Sequence, residues 1–311
     1  MPMKILKKGV LSTFQDCGRV GYQSVGLNVG GIMDSLNFRL LNIILGNHSN
    51  EAALEIHFPG PHIEFEEFCY FAITGADFSA TLNQKMLTKN KKYKAKPGDQ
   101  LVFKNKSNGE RLYFGVQGGF EIPDWLNSKS FNAQLNLPVV SQIIVFNNKD
   151  ELEIDAYNYG VSFNYDLTNN IIRFVSGFEF EKLNIESKNS LLNSEFLISK
   201  DSNRMGYRLS GEPLSLMEKM EMVSSPVSKG TIQLLPDGQL IVLMADAQVS
   251  GGYSKLGFVI ENDVSKLSQL GSQSKIRFEM VSYEQAVQIM LQTEKSFKLI
   301  KKSLELREKE N

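Results

Sequence analysis

The chain has 311 residues, 42% hydrophobic and 22% charged, with 34 Lys and Arg against 35 Asp and Glu. That composition suits one large or two ordinary globular domains, and a net charge of −1 provides no field to attract nucleic acid or an anionic membrane. Two cysteines exclude a disulfide framework and suit a reducing compartment; with neither a signal peptide nor an apolar run of roughly 20 residues, a cytoplasmic location is expected.

Strand signals lead from the N-terminus onward. Asp34-Ser35 opens one early helix, with Leu36, Leu40, Ile43 and Ile44 at helical spacing and Gly46-Asn47 as its stop. Ala53 to Phe58 reads as a strand closed by Pro59-Gly60-Pro61, and His62 to Glu66 alternates polar with apolar. Phe68 to Thr74 is a richer apolar strand holding an inert Cys69, with a break expected at Gly75-Ala76-Asp77. The basic run Lys89 to Lys96 reads as a solvated loop or an edge strand, because edge lysines discourage aggregation. Lys96-Pro97-Gly98-Asp99 is a turn before the strand Gln100 to Lys104, and Arg111 to Gln117 is another strand ending at Gly118-Gly119. The Asn- and Ser-rich stretch from Pro123 to Asn170 holds the domain crossover, with a short apolar run from Gln142 to Phe146.

The second half repeats the style. Ile171 to Val175 is a strand, and Thr231 to Leu235, Pro236-Asp237-Gly238 and Gln239 to Met244 form a hairpin. Glu261 opens a short helix through Leu270. A last helix, about Ser282 to Lys309, places Ala286, Ile289, Met290, Phe297 and Ile300 at helical spacing and ends in charge. The architecture expected is mainly β: two barrel-like domains over 1–165 and 166–285, then a C-terminal helix or tail over 286–311.

The chain has neither a Gly-x-x-x-x-Gly-Lys-Ser/Thr phosphate loop nor a Gly-x-Gly-x-x-Gly turn, so it carries no nucleotide motif of its own. No His/Cys cluster has zinc spacing and no Gly-x-Ser-x-Gly elbow occurs, so no metal site is expected. His57 and His62 flank the Pro-Gly-Pro turn without a third ligand. Four polar clusters remain. Gln15, Asp16 and Arg19 fall in one, where the bland alternative is a loop in which Asp16 satisfies backbone amides. Met33 and Asp34 follow Gly30-Gly31 at the helix entrance, whose amides could face an anion. Asn203-Arg204-Met205-Gly206 offers a guanidinium fork for a carboxylate. Met244 to Gly257 packs Asp246, Gln248, Gly251, Gly252, Tyr253 and Lys255 together, so that Asp246 and Gln248 could hold an amide or ureido group. The third and fourth clusters are either turns of a β fold or two walls of one site.

In this order the clusters resemble the allophanate hydrolase subunit 2 or KipA-like family, described as the C subunit of 5-oxoprolinase, and the carboxyltransferase region of biotin-dependent urea carboxylase. The matching stretches begin with Phe14-Gln15-Asp16-x-Gly18-Arg19-x-Gly21-Tyr22, Ile32-Met33-Asp34, Leu45-Gly46-Asn47, Ala53-Leu54-Glu55 and Thr74-Gly75-Ala76. They continue through Ser202-Asn203-Arg204-Met205-Gly206-x-Arg208-Leu209, Ser225-Pro226-Val227-x-x-Gly230-Thr231-Ile232-Gln233, Pro236-Asp237-Gly238 and Met244-Ala245-Asp246-x-Gln248-x-x-Gly251-Gly252-Tyr253. The resemblance implies two cyclophilin-like β-barrel domains and an ATP-dependent opening of 5-oxoproline to glutamate by a complex with a KipI-like B subunit and an A subunit. It implies that ATP serves the complex, that biotin, if used, is supplied in trans, and that the chain alone is inactive. On that basis Arg204, Asp246, Gln248 and Tyr253 are the expected catalytic residues. Gln15, Asp16, Arg19, Met33, Asp34, Asn203, Met205, Gly206, Gly251, Gly252 and Lys255 are expected to bind substrate. Alternatives are a non-catalytic binding partner of a KipI-like protein, or carboxyl transfer to a urea-like amide. The chain departs from the family pattern at Asn127 to Phe131 and Asn132 to Asn136, which replace a Gly-Ser-x-Ser-Thr and glycine-rich loop, and at Ser176 to Glu179, Val249-Ser250 and Ser254.

Overall fold

A computed structural model describes residues 2–131, 143–146, 160–163, 169–218 and 223–308. The chain divides into two compact units. The first comprises Met1–Arg19, Asp34–Tyr165 and Glu294–Asn311; the second comprises Val20–Met33 and Asp166–Thr293.

In the first unit the strands pair into two sheets. One runs in the order Ile143–Val145, Pro2–Lys7, His62–Phe65, Gln100–Phe103, Ala80–Leu82 and Lys85–Met86; the other runs Ser12–Gln15, Ala53–Ile56, Asn108–Val116, Cys69–Asp77 and Lys91–Ala95. Alternate residues of both sheets, among them Met3, Ile63, Phe65, Leu101, Leu54, Phe71 and Phe114, make one apolar core. Phe65 stacks on Phe71 at 5.2 Å, and Phe71 meets Phe114 at 5.9 Å. The basic run forms the outermost strand of its sheet, as expected, and Lys92 folds its ammonium to 5.1 Å over the Tyr70 ring. Cys69 is buried, which pushes its thiol far up in pKa and leaves it inert. The break expected at Gly75 does not occur. The strand Cys69–Asp77 continues through it, and Gly75, at φ +84°, donates its N–H to Asn37 Oδ1 at 3.1 Å.

The helix Ser35–Leu45 packs on the second of these sheets. Asp34 caps it by accepting from the Asn37 N–H at 3.0 Å, and Gly46 ends it at φ +66°. Beneath it the sheet presents a buried polar row, in which Thr13 stands opposite Glu55, Glu55 opposite Tyr113 and Tyr113 opposite Thr74. The last helix, Tyr283–Glu308, falls in the first unit from Glu294 onward. There Phe297 is buried against Phe163, with ring centroids 4.9 Å apart, and Arg39 lies over the Phe297 ring while bonding Glu294.

The second unit closes a barrel. Its order is Ile171–Ser176, Ser254–Val259, Thr231–Leu234, Leu240–Leu243, Gly206–Ser210, Phe196–Ile198 and Lys275–Met280; the last strand returns parallel to the first. Ile172, Phe174, Leu209, Ile232, Val242, Leu256 and Phe278 fill it. The expected hairpin is present, its strands joined through Leu235 N–H to Gln239 O at 2.9 Å. Arg173 and Asp263 bond two-pronged at 2.8 and 2.7 Å, tying the helix Glu261–Ser268 to the barrel wall. The mainly β architecture with few helices is as expected from the sequence. The helix Ile185–Asn193 is additional: only Ser187, Ser190 and Leu191 of it are buried, so its apolar periodicity is faint.

Candidate functional site

In the second unit, the two clusters that hold Arg204 and Asp246 lie at adjacent ends of one ladder. The strands Gly206–Ser210 and Leu240–Leu243 pair antiparallel, with Gly206 opposite Leu243. The pairing then runs past both strand ends, as Met244 N–H bonds Met205 O at 3.0 Å and Asp246 N–H bonds Arg204 O at 2.8 Å. This backbone register sets the side chains fork to fork. Arg204 Nε donates to Asp246 Oδ2 at 2.8 Å and Nη2 donates to Oδ1 at 3.0 Å, while Nη2 also reaches the Gly31 carbonyl. Arg204 is therefore filled by a carboxylate of its own chain, and it orients the Asp246 carboxylate, which remains one-third exposed at 32%.

The segment Asn28 to Met33 is bound into the same corner. Asn28 Nδ2 donates to the Asp246 carbonyl at 3.0 Å, and Lys229 Nζ donates to the carbonyls of Ile32 and Met33 at 3.0 and 2.8 Å. Met33 is fully buried and belongs to the barrel's apolar cluster, which also holds Phe174, Ile232 and Leu256. Asn203 is a turn residue, accepting the Met205 N–H at 2.8 Å. Met205 is exposed, and Gly206 is a packing glycine, since a Cβ there would stand 2.6 Å from Ile241 Cδ1.

Gln248 and Tyr253 are exposed and Gly252 is half-buried. Gly251 lies in a short ribbon, Ser250–Gly251 paired with Ser225–Pro226. Lys255, in the strand Ser254–Val259, is buried and donates from Nζ to Ser225 Oγ at 2.6 Å. Ser225, Lys229, Asn28 and Gln233 are not residues that the sequence alone picks out for a site. Gln233 closes the matching stretch Gly230-Thr231-Ile232-Gln233 and is a lone amide within the apolar strand Thr231–Leu234, but neither signal gives it a role.

The remaining predicted residues belong to the first unit. Asp16 is buried and saturated. It accepts from Gly18 N at 2.8 Å, Lys129 N at 2.7 Å, Ser128 Oγ at 2.7 Å and Ser130 Oγ at 2.6 Å. The turn carrying Asn127 to Ser130 thus keeps the hydroxyls that cage Asp16, while Asn132 to Asn136 lie outside the described residues. Arg19 bonds the Ser130 carbonyl and lies 5.1 Å from the Trp125 ring centroid. Gln15 is fully buried and donates to Thr13 Oγ1 at 2.9 Å. Asp34 is the helix cap already described, and its N–H reaches Tyr113 Oη at 2.8 Å, which in turn donates to Glu55 Oε2 at 2.7 Å. Burial, reinforced by the charges of Glu55 and Asp34, drives the Tyr113 hydroxyl well above its ordinary pKa, so it remains a donor. No helix of the described chain is long and apolar enough to cross a membrane.

Comparison with known proteins agrees over most of the length. Residues 25–280 match the family model for the carboxyltransferase domain, subdomain A and B. The chain is 33% identical to the 5-oxoprolinase C subunit of Haemophilus influenzae over 294 residues, covering 91% of this chain and 92% of that protein. It is 32% identical to the 5-oxoprolinase C subunit of Escherichia coli over 291 residues, covering 92% and 93%. Among solved structures it is similar to Kluyveromyces lactis urea carboxylase, with a TM-score of 0.86 and 25% identity over 96% of this chain; it spans 29% of that protein. Most of the length of both 5-oxoprolinase proteins and a matched carboxyltransferase model place this chain in the carboxyltransferase family, subdomains A and B, together with the C subunit of 5-oxoprolinase.

Proposed function

We propose that this chain is the C subunit of an ATP-dependent 5-oxoprolinase that opens 5-oxoproline to glutamate together with a KipI-like B subunit and an A subunit. The observation that carries the reading is the near end-to-end similarity to two proteins of that name. The reaction breaks the lactam C–N bond, with water giving its hydroxyl to the carbonyl carbon and its proton to nitrogen; ATP hydrolysis drives it. This chain has no nucleotide motif, so ATP is assigned to the complex. Asp246, its carboxylate oriented by Arg204, is the charged group assigned to the reaction site. Gln248 and Tyr253 are assigned to the exposed rim of that corner, where they meet substrate as it enters. Asp16 and Arg19 are assigned to holding the Asn127 to Ser130 turn of the first unit in place.

The test is reconstitution with omission. ATP-dependent glutamate release should require this chain, and the chain alone should release none. Turnover by the A and B subunits without it, while it still binds them, would make it a regulatory partner instead. The likeness to urea carboxylase favours carboxyl transfer as a second chemistry, with biotin supplied in trans. Turnover that avidin abolishes would support that reading; turnover indifferent to avidin supports the first.

A further inference from the structure

Gln233 occupies the middle of the strand Thr231–Leu234, between Ile232 and Leu234, which both join the barrel core. Strand alternation therefore sends its side chain to the outer face of the barrel. It is nevertheless fully buried there, because the ribbon of Ser225–Pro226 and Ser250–Gly251 covers it. A Cβ on Gly251 would stand 2.6 Å from Gln233 Nε2, so the ribbon backbone lies directly against the amide. Neither Nε2 nor Oε1 of Gln233 has a hydrogen-bond partner among the described residues. A buried carboxamide without partners costs stability that Leu or Met at the same position would not, so packing alone does not account for it.

Lys255 stands directly opposite Gln233 in the neighbouring strand, and the barrel core takes up the next residue, Leu256. Its ammonium, a triple donor, bonds Ser225 Oγ at 2.6 Å and no other partner among the described residues. A neutral amide with one donor edge and one acceptor edge thus lies beside a cation and a hydroxyl, under a short ribbon of two residue pairs extended by the Val227 N–H to the Val249 carbonyl at 3.1 Å. Pro226 has no N–H to strengthen that ribbon.

We propose that Gln233, Lys255 and Ser225 form a recognition site for a syn amide that carries a carboxylate, admitted by lifting of the Ser250–Gly251 ribbon. The assignment rests on the 5-oxoprolinase reading and names the substrate feature read at each residue. A carboxamide presents its donor and acceptor side by side. Its two-point complement must do the same, which a lactam, a primary amide or urea does and a trans secondary amide does not. Gln233 accepts from the lactam N–H and donates to its carbonyl. The Lys255 ammonium, with the Ser225 hydroxyl, takes the carboxylate.

Calorimetric titration of the full chain with 5-oxoproline, 2-pyrrolidinone, urea and N-methylacetamide tests this, using wild type, Gln233→Leu and Lys255→Met. Gln233→Leu should melt at or above the wild-type temperature and bind 5-oxoproline at least about tenfold more weakly, the scale of one or two lost hydrogen bonds. Lys255→Met should weaken 5-oxoproline binding and leave 2-pyrrolidinone unchanged. N-methylacetamide should not compete. Equal 5-oxoproline affinity in wild type and Gln233→Leu overturns the site, as does a wild-type chain that binds none of the four. Gln233-dependent binding of 2-pyrrolidinone and urea without preference for 5-oxoproline would uphold the amide site and overturn the oxoprolinase reading.

Discussion

Arg204 and Asp246, separated by 42 positions in sequence, bond fork to fork at 2.8 and 3.0 Å because their backbones continue a β ladder beyond its last paired strand residues. The register that closes the barrel therefore also sets the geometry of the pair. Breaking it should cost stability as well as function: Arg204→Ala leaves a part-buried carboxylate and the Gly31 carbonyl without this donor, for about 1–3 kcal/mol. Arg204→Lys keeps the charge without the planar fork and should recover only part of that loss. Denaturant unfolding of both variants and of Asp246→Asn, combined in a double-mutant cycle, should give a coupling of about 1–2 kcal/mol; additivity would mean the pair is not a unit.

The Asp16 cage makes a separate prediction in the first unit. Asp16→Ala strips an acceptor from two backbone amides and the hydroxyls of Ser128 and Ser130. The expected loss is roughly 2–4 kcal/mol, the cost of several buried donors left unmade. Amide exchange should accelerate at Gly18 and Lys129 first, before any change in the barrel of the second unit.

Tyr113→Phe should destabilise by about 1–3 kcal/mol, because the hydroxyl both receives the Asp34 N–H and donates to Glu55. The raised pKa of Tyr113 adds a pH dependence of known sign. The folded state keeps the proton and the unfolded chain releases it above about pH 10. The contribution is therefore complete below that pH and is lost as pH rises further towards the folded value. Melting temperatures from pH 9 to 11 should fall more steeply in wild type than in Tyr113→Phe.

Glu294 gives the opposite dependence. Its hydrogen bond from Arg39 holds the carboxyl below the ordinary range. Stabilisation is present above the unfolded pKa near about 4.3 and disappears as pH falls through the lowered folded value. At 36% and 38% exposure, the two side chains are screened by water, so Glu294→Gln should cost no more than about 1 kcal/mol at pH 7. The difference from wild type should shrink as matched thermal melts are taken to lower pH.

The helix Ser35–Leu45 is legible in the sequence because its cap, apolar spacing and Gly46 stop agree with one another. The hairpin around Pro236-Asp237-Gly238 is legible for the same reason of turn chemistry. Gly75 misleads: a glycine that ends many strands here sits inside one, at a point where the helix residue Asn37 replaces a ladder partner. The site is legible in composition and not in pairing. Arg204 and Asp246 both stand out as charges near glycines, yet that they bond each other depends on a register between strands distant in sequence. Met33 looks like a ligand contact beside Asp34, and only the packing of residues 20–33 within the second unit makes it core. Gln233 falls in a matching stretch, but its burial is not legible there, because it comes from a ribbon whose strands lie elsewhere in sequence.

Whether this chain is a working part of a 5-oxoprolinase is decided by one assay. The A and B subunits are combined with this chain as wild type or Asp246→Ala, and ATP-dependent glutamate release from 5-oxoproline is followed while complex formation is checked by sedimentation. Full assembly is expected in both mixtures, with turnover for wild type and a loss of at least about a hundredfold for Asp246→Ala, the scale of removing an orienting charged group from a reaction site. Equal turnover with the two proteins in an intact complex would contradict that role.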